Sequence, residues 1–488
     1  MYISKSRYCS AVQCPKILWL KMHKPELFDE SVMNQSTLSA GNDVGDLAMG
    51  LFGPFIEVPY GDLSEMIART KELLDVQTPV ICEASFSYSG CFCSVDILRR
   101  CGNTYEIYEV KSSTEVKDIY LDDVSYQQYV LHKCGLEISR VSIVHINNRY
   151  VRHGELDLKK LFKILDVTEQ SSAKQKEVED RLAFLSDYLS QEEEPDCVYG
   201  DQCSNPYTCG FAAHCIGELP SPSVFDIANF RRKMDFYRQG ILSFEDVLHT
   251  GVLKGKQLMQ VEHELNDLPA AINKEGIREI LKEFTYPLYF LDFETFQSPI
   301  PLFDYSRPYQ QIPFMYSLHW IEKEGDDLHQ TVSLSYPGSD PRRTIAEDLC
   351  HDIPKGVCTL AYNMGFEKGR IRELAALYPD LADHLMDIHD NMRDLMIPFQ
   401  KGWYYNKAME GSYSIKYVLP ALYPDDPELD YQNLEGVHNG GEASETYLAM
   451  WNMTDEEIAK KCQELSKYCG LDTYAMVKVW QKLKELYE

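Results

Sequence analysis

The sequence predicts an α/β fold divided among about two or three domains. At 488 residues the chain is longer than a single hydrophobic core normally supports. Its apolar content of 44% is ordinary for globular protein. Strand-like runs alternate with amphipathic helical runs in both halves, which is typical of mixed sheets covered by helices. We place a first domain at residues 1–217, a helical connector at 218–284 and a second α/β domain at 285–488.

The first domain contains a predicted β-hairpin. The runs CSVDILRR and YEIYEVKS flank Gly102 and Asn103, the composition of a two-residue turn. Cross-strand partners lie symmetrically about such a turn, which puts Asp96 opposite Glu109. The stretch SYQQYVLHKCG then predicts a helix that carries Gln127.

Asp96, Glu109 and Lys111 form a candidate catalytic group. Like charges that face each other across two strands are destabilising, unless a cation lies between them. Lys111 projects from the same face of its strand as Glu109. A metal ion held by two acids beside a lysine can activate water and stabilise charge on a phosphate, and Gln127 is placed to hold the water or the lysine. The alternative is a solvated hairpin face with ordinary surface charges.

These residues resemble the motifs of a nuclease family. GCFCSVDIL, YEVKSS and SYQQYVL are similar to the aspartate, E-X-K and glutamine motifs of the RecB-like branch of the PD-(D/E)XK nucleases. The resemblance implies a restriction-endonuclease-like fold in which Asp96 and Glu109 bind Mg²⁺ or Mn²⁺. It also implies that Lys111 is catalytic and that Gln127 supports the site.

One position departs from that family. Many members carry a metal-binding histidine on an early helix, in a G-X-X-V-H pattern. Here GNDVGDLA places Gly45 at that position, with Asp43 and Asp46 as alternative ligands. The hypothesis that follows is a catalytically inactive first site that serves as a binding platform.

A cysteine-rich loop, CVYGDQCSNPYTCGFAAHC, closes the first domain. Grouped cysteines in a reducing compartment favour metal or cluster binding over disulfides. One subset of the RecB-like nucleases, including CRISPR-adaptation exonucleases and AddB helicase-nucleases, implies a structural 4Fe–4S cluster. Zinc and buried free cysteines are the alternatives. The implied ligands are Cys14, Cys203, Cys209 and Cys215, with Cys9 and Cys197 as further candidates.

The second domain begins with a strand, YFLDFETFQ, that carries two acids in an apolar run. Asp292 and Glu294 project from one face of this strand. Buried unpaired carboxylates are costly, so a bound divalent cation is the economical explanation. The alternative is an edge strand whose acids point outward.

Two downstream segments complete a second candidate metal site. LAYNMGFEKGRI predicts a strand running into a helix, with Asn363 at the junction and Glu367 one turn later. SKYCGLDTYAM places Tyr468 and Asp472 on one helical face. With the D-X-E strand, these segments resemble the DEDD exonucleases, which include DnaQ and RNase D. The resemblance implies an RNase H-like fold, two metals held by four acids, and 3′–5′ hydrolysis with Tyr468 positioning water. Glu367 stands where the family has aspartate.

The stretch GWYYNKAMEGSYSIKYVLPALYP supplies aromatic and basic side chains between these motifs. Lys416 and its aromatic neighbours are suited to a single strand of nucleic acid, and Asn363 is a second candidate substrate contact. A packing loop rich in aromatics is the alternative.

The sequence thus predicts a metal-dependent nuclease with two active sites. The net charge of −28 argues against a passive nucleic-acid coat but not against an enzyme whose acids hold metal ions. DNA is the favoured substrate. The alternatives are a single-site exonuclease and a non-enzymatic adaptor stabilised by metal. With no apolar run long enough for a membrane span and no apolar core of a signal peptide, we expect a cytoplasmic protein without a membrane partner.

Overall fold

The computed structural model describes residues 2–32 and 35–487, the side chains of 35–40 excepted. The chain forms two compact units. The N-terminal unit comprises residues 1–218 and 298–309, and the C-terminal unit comprises 219–297 and 310–488. The predicted connector therefore groups, from residue 219 onward, with the C-terminal sheet.

In the described part of the N-terminal unit, seven strands form one sheet. The order is β2-β3-β4-β5-β6-β7, and β1 pairs with β4. Strands β3, β4 and β5 are antiparallel neighbours, whereas β5 and β6 run parallel. The strands are β1 Ile3–Ser4, β2 Ile56–Glu57, β3 Val80–Tyr88, β4 Cys91–Cys101, β5 Thr104–Lys111, β6 Ile138–Ile146 and β7 Phe162–Asp166.

Helices cover this sheet, with α5 against β4 and β6 and α1 against α5. The rings of Tyr8 on α1 and Tyr126 on α5 stack with centroids 4.7 Å apart, and both are fully buried. Apolar burial of this kind fixes α1 beside the sheet. The helices are α1 Lys5–Gln13, α2 Pro15–His23, α3 Gln35–Met49, α4 Leu63–Asp75, α5 Asp118–Lys133, α6 Leu158–Leu161, α7 Thr168–Ala173, α8 Gln175–Tyr188 and α9 Ala212–Ile216.

The β4–β5 hairpin has the register that the turn predicts. Ile97 pairs with Tyr108 and Cys101 with Thr104. Gly102 supplies the positive φ, +63°, that the tight turn requires. Asp96 and Glu109 lie one position beyond the paired ladder, so the hairpin brings these two acids to the same end of the sheet.

The C-terminal unit contains a mixed five-stranded sheet in the order β11-β10-β9-β12-β13. Strand β9 is central, antiparallel to β10 and parallel to β12. Most of its residues are buried on both faces, as expected for a near-continuous apolar run. The strands of this unit are β8 Ala271–Ile272, β9 Leu288–Phe296, β10 Ile312–Ile321, β11 His329–Leu334, β12 Cys358–Ala361, β13 Met392–Asp394 and β14 Tyr404–Tyr405.

The longest helix of the C-terminal unit packs across its sheet. It has 33 residues and contacts β9, β10 and β11. At its start the side chain of Glu457 accepts a hydrogen bond from the backbone of Thr454 at 2.9 Å, half of a capping box. The helices are α10 Lys233–Arg238, α11 Phe244–His249, α12 Gly255–Asn266, α13 Lys274–Leu281, α14 Arg342–Asp352, α15 Gly365–Leu377, α16 Ala382–Asp390, α17 Ile397–Gln400, α18 Ile415–Leu422, α19 Gly440–Ala449 and α20 Asp455–Tyr487.

Helices α10 to α13 lie in the segment predicted as a connector. Residues of α10 to α12, including Phe236, Phe244 and Val261, bury an apolar cluster. Ile277 of α13 belongs instead to the core that contains Phe290 of β9. The connector is therefore packed onto the sheet. Across the described residues, none of the helices combines the length and apolarity that a membrane span requires.

Candidate functional sites

The central strand of the C-terminal sheet carries two acids toward α20. Asp292 lies opposite Ser317 of β10, and Glu294 lies opposite Met315. Asp292 is partly buried and Glu294 is only 6% exposed. Their burial in an apolar strand is what the sequence predicts, and the outward-facing alternative for Glu294 is wrong because its side chain lies in the interior.

Helix α20 adds Tyr468 and Asp472 to these acids. The hydroxyl of Tyr431 donates a hydrogen bond to Asp472 Oδ1 at 2.6 Å. Tyr468 is 3% exposed, and burial and then Asp472 raise the pKa of its hydroxyl. Burial also raises the pKa of Asp472 to about 6, against the opposing effect of the hydrogen bond from Tyr431. Both tyrosines therefore present protonated hydroxyls beside the carboxylate.

The acids of this cluster repel one another. Burial, followed by Asp472 and then Glu294, raises the pKa of Asp292 well above its ordinary value. Burial and Asp472 raise the pKa of Glu294 to about 8, and Lys416 acts in the opposite direction. This cluster holds more negative charge than its surroundings neutralise, which is the condition that a divalent cation relieves.

Glu367 provides the clearest test of whether a cation fits. It lies in the first turn of α15 and is 3% exposed. Its Oε2 atom is buried without a hydrogen-bond partner, although buried polar atoms are nearly always paired. Burial raises its pKa to about 8, and it also acts on the pKa of Asp292. Asp292 and Glu294 lie within ligand distance of each other, and the unsatisfied oxygen of nearby Glu367 adds to a set of carboxylates that suits a divalent ion such as Mg²⁺ or Mn²⁺.

Asn363 occupies the turn between β12 and α15, with φ of +70°. Asp394 on β13 accepts hydrogen bonds from the backbone N–H groups of Asn363 and Met396, at 3.0 and 2.9 Å. Asp394 thereby fixes the turn that aims α15 at the cluster. Sequence reasoning missed Asp394 and Tyr431, because neither belongs to a recognisable motif.

A cavity of about 1100 Å³ opens above these acids within the C-terminal unit. Asp292, Asn363 and Asp472 contribute to its lining. The wall also contains tyrosines of the predicted aromatic stretch, Tyr405, Tyr413 and Tyr417. It further contains residues of the connector, which the sequence did not predict as part of a site. These further lining residues include Asp226, Phe244, Gln260, Glu264, Tyr362, Tyr405, Tyr413 and Tyr417. Lys416 is exposed, and its Nζ lies 5.8 Å from the ring centroid of Tyr431.

In the N-terminal unit, the acids of the hairpin are already paired with a cation from the protein. Lys5, at the start of α1, places its Nζ 2.9 Å from Asp96 Oδ1 and 3.0 Å from Glu109 Oε1. The second oxygen of Asp96 accepts a hydrogen bond from the backbone of Val110 at 2.7 Å. Burial alone would lower the pKa of Lys5, but the neighbouring carboxylates, Asp96 first, raise it well above its ordinary value. Sequence reasoning missed Lys5, which lies far from the hairpin along the chain.

Lys111 and Gln127 reach the same acid. Lys111 Nζ lies 2.7 Å from Glu109 Oε1 and 2.7 Å from Asp123 Oδ2. Gln127 Nε2 donates to Glu109 Oε2 at 2.7 Å and to Asp123 Oδ1 at 2.9 Å. The four predicted residues of this group are therefore brought together, with Lys5 and Asp123 as additional members.

This pairing leaves little room for a metal ion between Asp96 and Glu109. Glu109 is 1% exposed, and both of its oxygens already accept bonds from Lys5, Lys111 or Gln127. An ion there would have to displace the ammonium of Lys5. The residues as arranged therefore do not fit a resident metal at this position.

Glu83 is a further acid beside this group. It has φ of +56°, an uncommon conformation for a non-glycine residue, at the point where the β3–β4 ladder is interrupted. Burial and then Asp96 raise its pKa to about 7. The proposed substitutes for the missing histidine, Asp43 and Asp46, lie at exposed positions of α3.

The predicted cysteine ligands all lie in or against one apolar cluster of the N-terminal unit. Cys14 Sγ is 3.6 Å from Cys197 Sγ, and burial and then Cys197 raise the pKa of Cys14 to about 12. Burial likewise raises the pKa of Cys215 to about 11, with additional effects from the other cysteines of the loop. Cys203 and Cys209 are buried. Cys197 lies six positions before Cys203, the same spacing that separates Cys203, Cys209 and Cys215. This spacing is the sequence signal that makes Cys197 a further candidate ligand. Across the described residues, no three of these sulfur atoms all lie within 4.8 Å of one another, so the thiols do not form a preassembled zinc site. Iron–sulfur or zinc binding by these cysteines stays a prediction.

Comparison with known proteins gives partial matches. Residues 289–414 match a family described as a domain of unknown function (DUF2779). The chain is similar to "Uncharacterized protein MG366 homolog" of Mycoplasma pneumoniae, 29% identical over 214 residues, covering 40% of this chain and 32% of the relative. It is also similar to "Uncharacterized protein MG366" of Mycoplasma genitalium, 26% identical with the same coverage. The chain thus spans about a third of the length of these curated relatives, and no solved structure matches it.

Proposed function

We propose that the C-terminal unit is a metal-dependent nuclease that hydrolyses phosphodiester bonds from the 3′ end of a nucleic acid, with DNA as the favoured substrate. The observation that carries the proposal is the convergence of four carboxylates from β9, α15 and α20, one of which has a buried oxygen without a partner. The match to DUF2779 covers β9 and α15 but states no activity. The resemblance to DEDD exonucleases supplies the reaction class.

The roles of the side chains follow from their chemistry. Asp292, Glu294, Glu367 and Asp472 would hold two divalent ions, Mg²⁺ or Mn²⁺. When bound, such ions would supply Lewis acidity and lower the pKa of a coordinated water. Tyr468, whose hydroxyl stays protonated, lies beside Asp472 and would orient the attacking water. The acids themselves exclude a second negative group unless cations are present, so hydrolysis depends strictly on metal.

The cavity above the acids suits an unpaired strand. Tyrosine faces in its wall, including Tyr362, Tyr413 and Tyr417, stack on any base without reading its identity. The ammonium of Lys416, close to the acid cluster, attracts the phosphate that follows the scissile bond. The acids Asp226 and Glu264 in the same wall repel a closely packed phosphate backbone. A single-stranded end is therefore the substrate form that we expect.

Separate substitutions at the two acid groups test this proposal. Asp292→Asn and Asp96→Asn are assayed on single- and double-stranded DNA and RNA, labelled at the 5′ end, with Mg²⁺ or Mn²⁺. The control is Asp326→Asn, an exposed loop acid. We expect Asp292→Asn to abolish hydrolysis, with a loss of at least about 10³-fold. Activity of Asp292→Asn equal to that of the control would contradict the exonuclease assignment.

A second candidate function concerns the N-terminal unit. The ammonium of Lys5 between Asp96 and Glu109 favours a binding platform without catalysis over a second active site. Such a platform would present nucleic acid to the C-terminal site, with the cysteine group stabilising its fold. Asp96→Asn then leaves hydrolysis by the saturated enzyme unchanged, whereas a loss of one of two cleavage activities would restore the two-site hypothesis.

A further inference from the structure

The acid cluster of the C-terminal unit contains a thiol that the exonuclease motifs do not include. Cys469 lies on α20 between Tyr468 and Asp472, and its side chain is fully buried. Its Sγ and one carboxylate oxygen each of Asp292 and Glu294 all lie within 4.8 Å of one another. Among the described residues, this trio is the compact set of side chains that offers ligand atoms for one metal ion.

The surroundings of this thiol differ from those of an ordinary buried cysteine. Free cysteines in protein cores behave as small apolar groups and pack against apolar neighbours. Cys469 instead faces two carboxylates from β9, and α20 packs directly on that strand. A thiol proton is a weak donor and cannot neutralise them. Its position therefore supplies a third donor atom to the acids.

The trio is compact enough to surround one metal ion. Bond lengths of about 2.3 Å to sulfur and about 2.1 Å to oxygen place tetrahedral ligand atoms of one ion roughly 3.6 Å apart, inside the 4.8 Å limit that the trio satisfies. The unpaired buried oxygen of Glu367, a residue that acts electrostatically on Asp292, is an independent indication that the same cluster binds a cation.

We propose that Cys469 is a metal ligand together with Asp292 and Glu294, and that the site therefore selects a borderline-soft divalent transition ion over Mg²⁺. A mixed sulfur and oxygen donor set binds ions such as Co²⁺ and Zn²⁺ more tightly than Mg²⁺, which prefers oxygen alone. Coordination replaces the thiol proton, which leaves to solvent. The proposal rests on the metal site of the proposed function and not on its hydrolytic activity.

Cobalt binding gives a direct readout of the sulfur ligand. A thiolate bound to Co²⁺ produces a charge-transfer absorption in the near ultraviolet, which oxygen ligands do not. The full-length protein is titrated with Co²⁺, Mn²⁺ and Mg²⁺ by calorimetry and absorption, as wild type, Cys469→Ser and Cys469→Ala. Cys462→Ser is the matched control, because Cys462 lies on the same helix but outside the trio. Hydrogen exchange of β9 verifies that each variant folds.

We expect both Cys469 variants to lose part of the Co²⁺ absorption and Cys462→Ser to keep all of it. The loop cysteines contribute equally to every protein, so the difference between variants reports Cys469 alone. Asp292→Asn should remove the same part of the spectrum, which assigns it to this site. The ratio of Co²⁺ to Mg²⁺ affinity should fall at least about tenfold in the Cys469 variants, the smallest effect typical of losing a group that supports a metal.

The outcomes separate this inference from the nuclease proposal. An unchanged spectrum and affinity ratio in both Cys469 variants would overturn the sulfur ligand, even if hydrolysis is observed. A cobalt–sulfur band that depends on Cys469 and Asp292, without hydrolysis of any nucleic acid, would support the ligand and contradict the nuclease. Absence of any metal binding that depends on Asp292 would overturn both.

Discussion

Replacing Glu294 by glutamine measures how strongly the acid cluster opposes folding without metal. The substitution keeps the size of the side chain and removes its charge. Burial, followed by Asp472, raises the pKa of Glu294 from 4.5 to about 8 in the folded protein. Because the folded-state pKa lies above the unfolded value, stability from this group is complete below pH 4.5 and is lost as the pH rises through about 8.

The size of the effect follows from these two pKa values. At about 1.36 kcal/mol for each pH unit between them, ionised Glu294 lowers the free energy of unfolding by up to about 5 kcal/mol. Glu294→Gln has no proton to lose at this position. Its stability relative to wild type should therefore rise by up to that amount between about pH 5 and about pH 9 in metal-free buffer.

Hydrogen exchange of the β9 amides follows the opening of the C-terminal unit. Wild type, Glu294→Gln and the exposed control Glu456→Gln are compared at about pH 5, 7 and 9, with a chelator or with Mn²⁺. Mn²⁺ at one hundred times its Kd should stabilise wild type by about 2.7 kcal/mol and Glu294→Gln by much less. Parallel pH profiles for wild type and variant, or equal stabilisation by Mn²⁺, would refute the electrostatic account of the cluster.

Three further predictions concern other parts of the molecule. Lys5→Met should leave two carboxylates without their ammonium partner and create a Mn²⁺ site in the N-terminal unit, which calorimetry detects. The free energy of unfolding should fall by about 3–5 kcal/mol. The exposed control Lys71→Met should neither create a site nor lower the stability. Burial lowers the pKa of His319 from 6.5 to about 4. The free energy of unfolding of the C-terminal unit should therefore fall by up to about 3 kcal/mol as the pH drops from 6.5 to about 4. In urea titrations, His319→Gln should show a flatter dependence of stability on pH over this range. Gly411→Ala should lower the melting temperature more than Gly402→Ala. Both glycines have φ near +70°, but a Cβ at Gly411 would lie 2.5 Å from a side-chain oxygen, whereas a Cβ at Gly402 would lie no closer than 3.7 Å to any atom beyond its chain neighbours. Equal melting temperatures of the two variants would show that the side chain next to Gly411 moves aside without a cost in stability.

Local patterns predicted the parts of the fold that depend on neighbouring residues. The turn at Gly102 and the alternation around it set the hairpin register, because strand pairing across a two-residue turn is symmetric. The D-X-E strand was predictable for the same reason, since two acids at alternate positions share a face whatever the tertiary fold.

Long-range pairing was not visible in the sequence. Lys5 reaches Glu109 across more than a hundred positions, and a lysine near the start of a helix carries no signal of such a partner. The same holds for Asp394 and Tyr431, which contact the second site through backbone and hydroxyl bonds that any aspartate or tyrosine can make. The sequence separated the connector from the C-terminal domain because α10 to α12 bury an apolar cluster of their own, and only α13 shares the core of the sheet.

The assembly of the second site from β9 and α20 bears on when the protein acquires it during synthesis. Asp292 precedes Asp472 by 180 positions. A ribosome that adds about 5–20 residues per second needs roughly 9 to 36 s to cover that distance. Throughout this interval the acids of β9 have neither the carboxylate nor the tyrosine of α20 beside them. A nascent chain therefore carries the acids of β9 without Tyr468 and Asp472, and the proposed metal site is complete only once the long helix has left the ribosome.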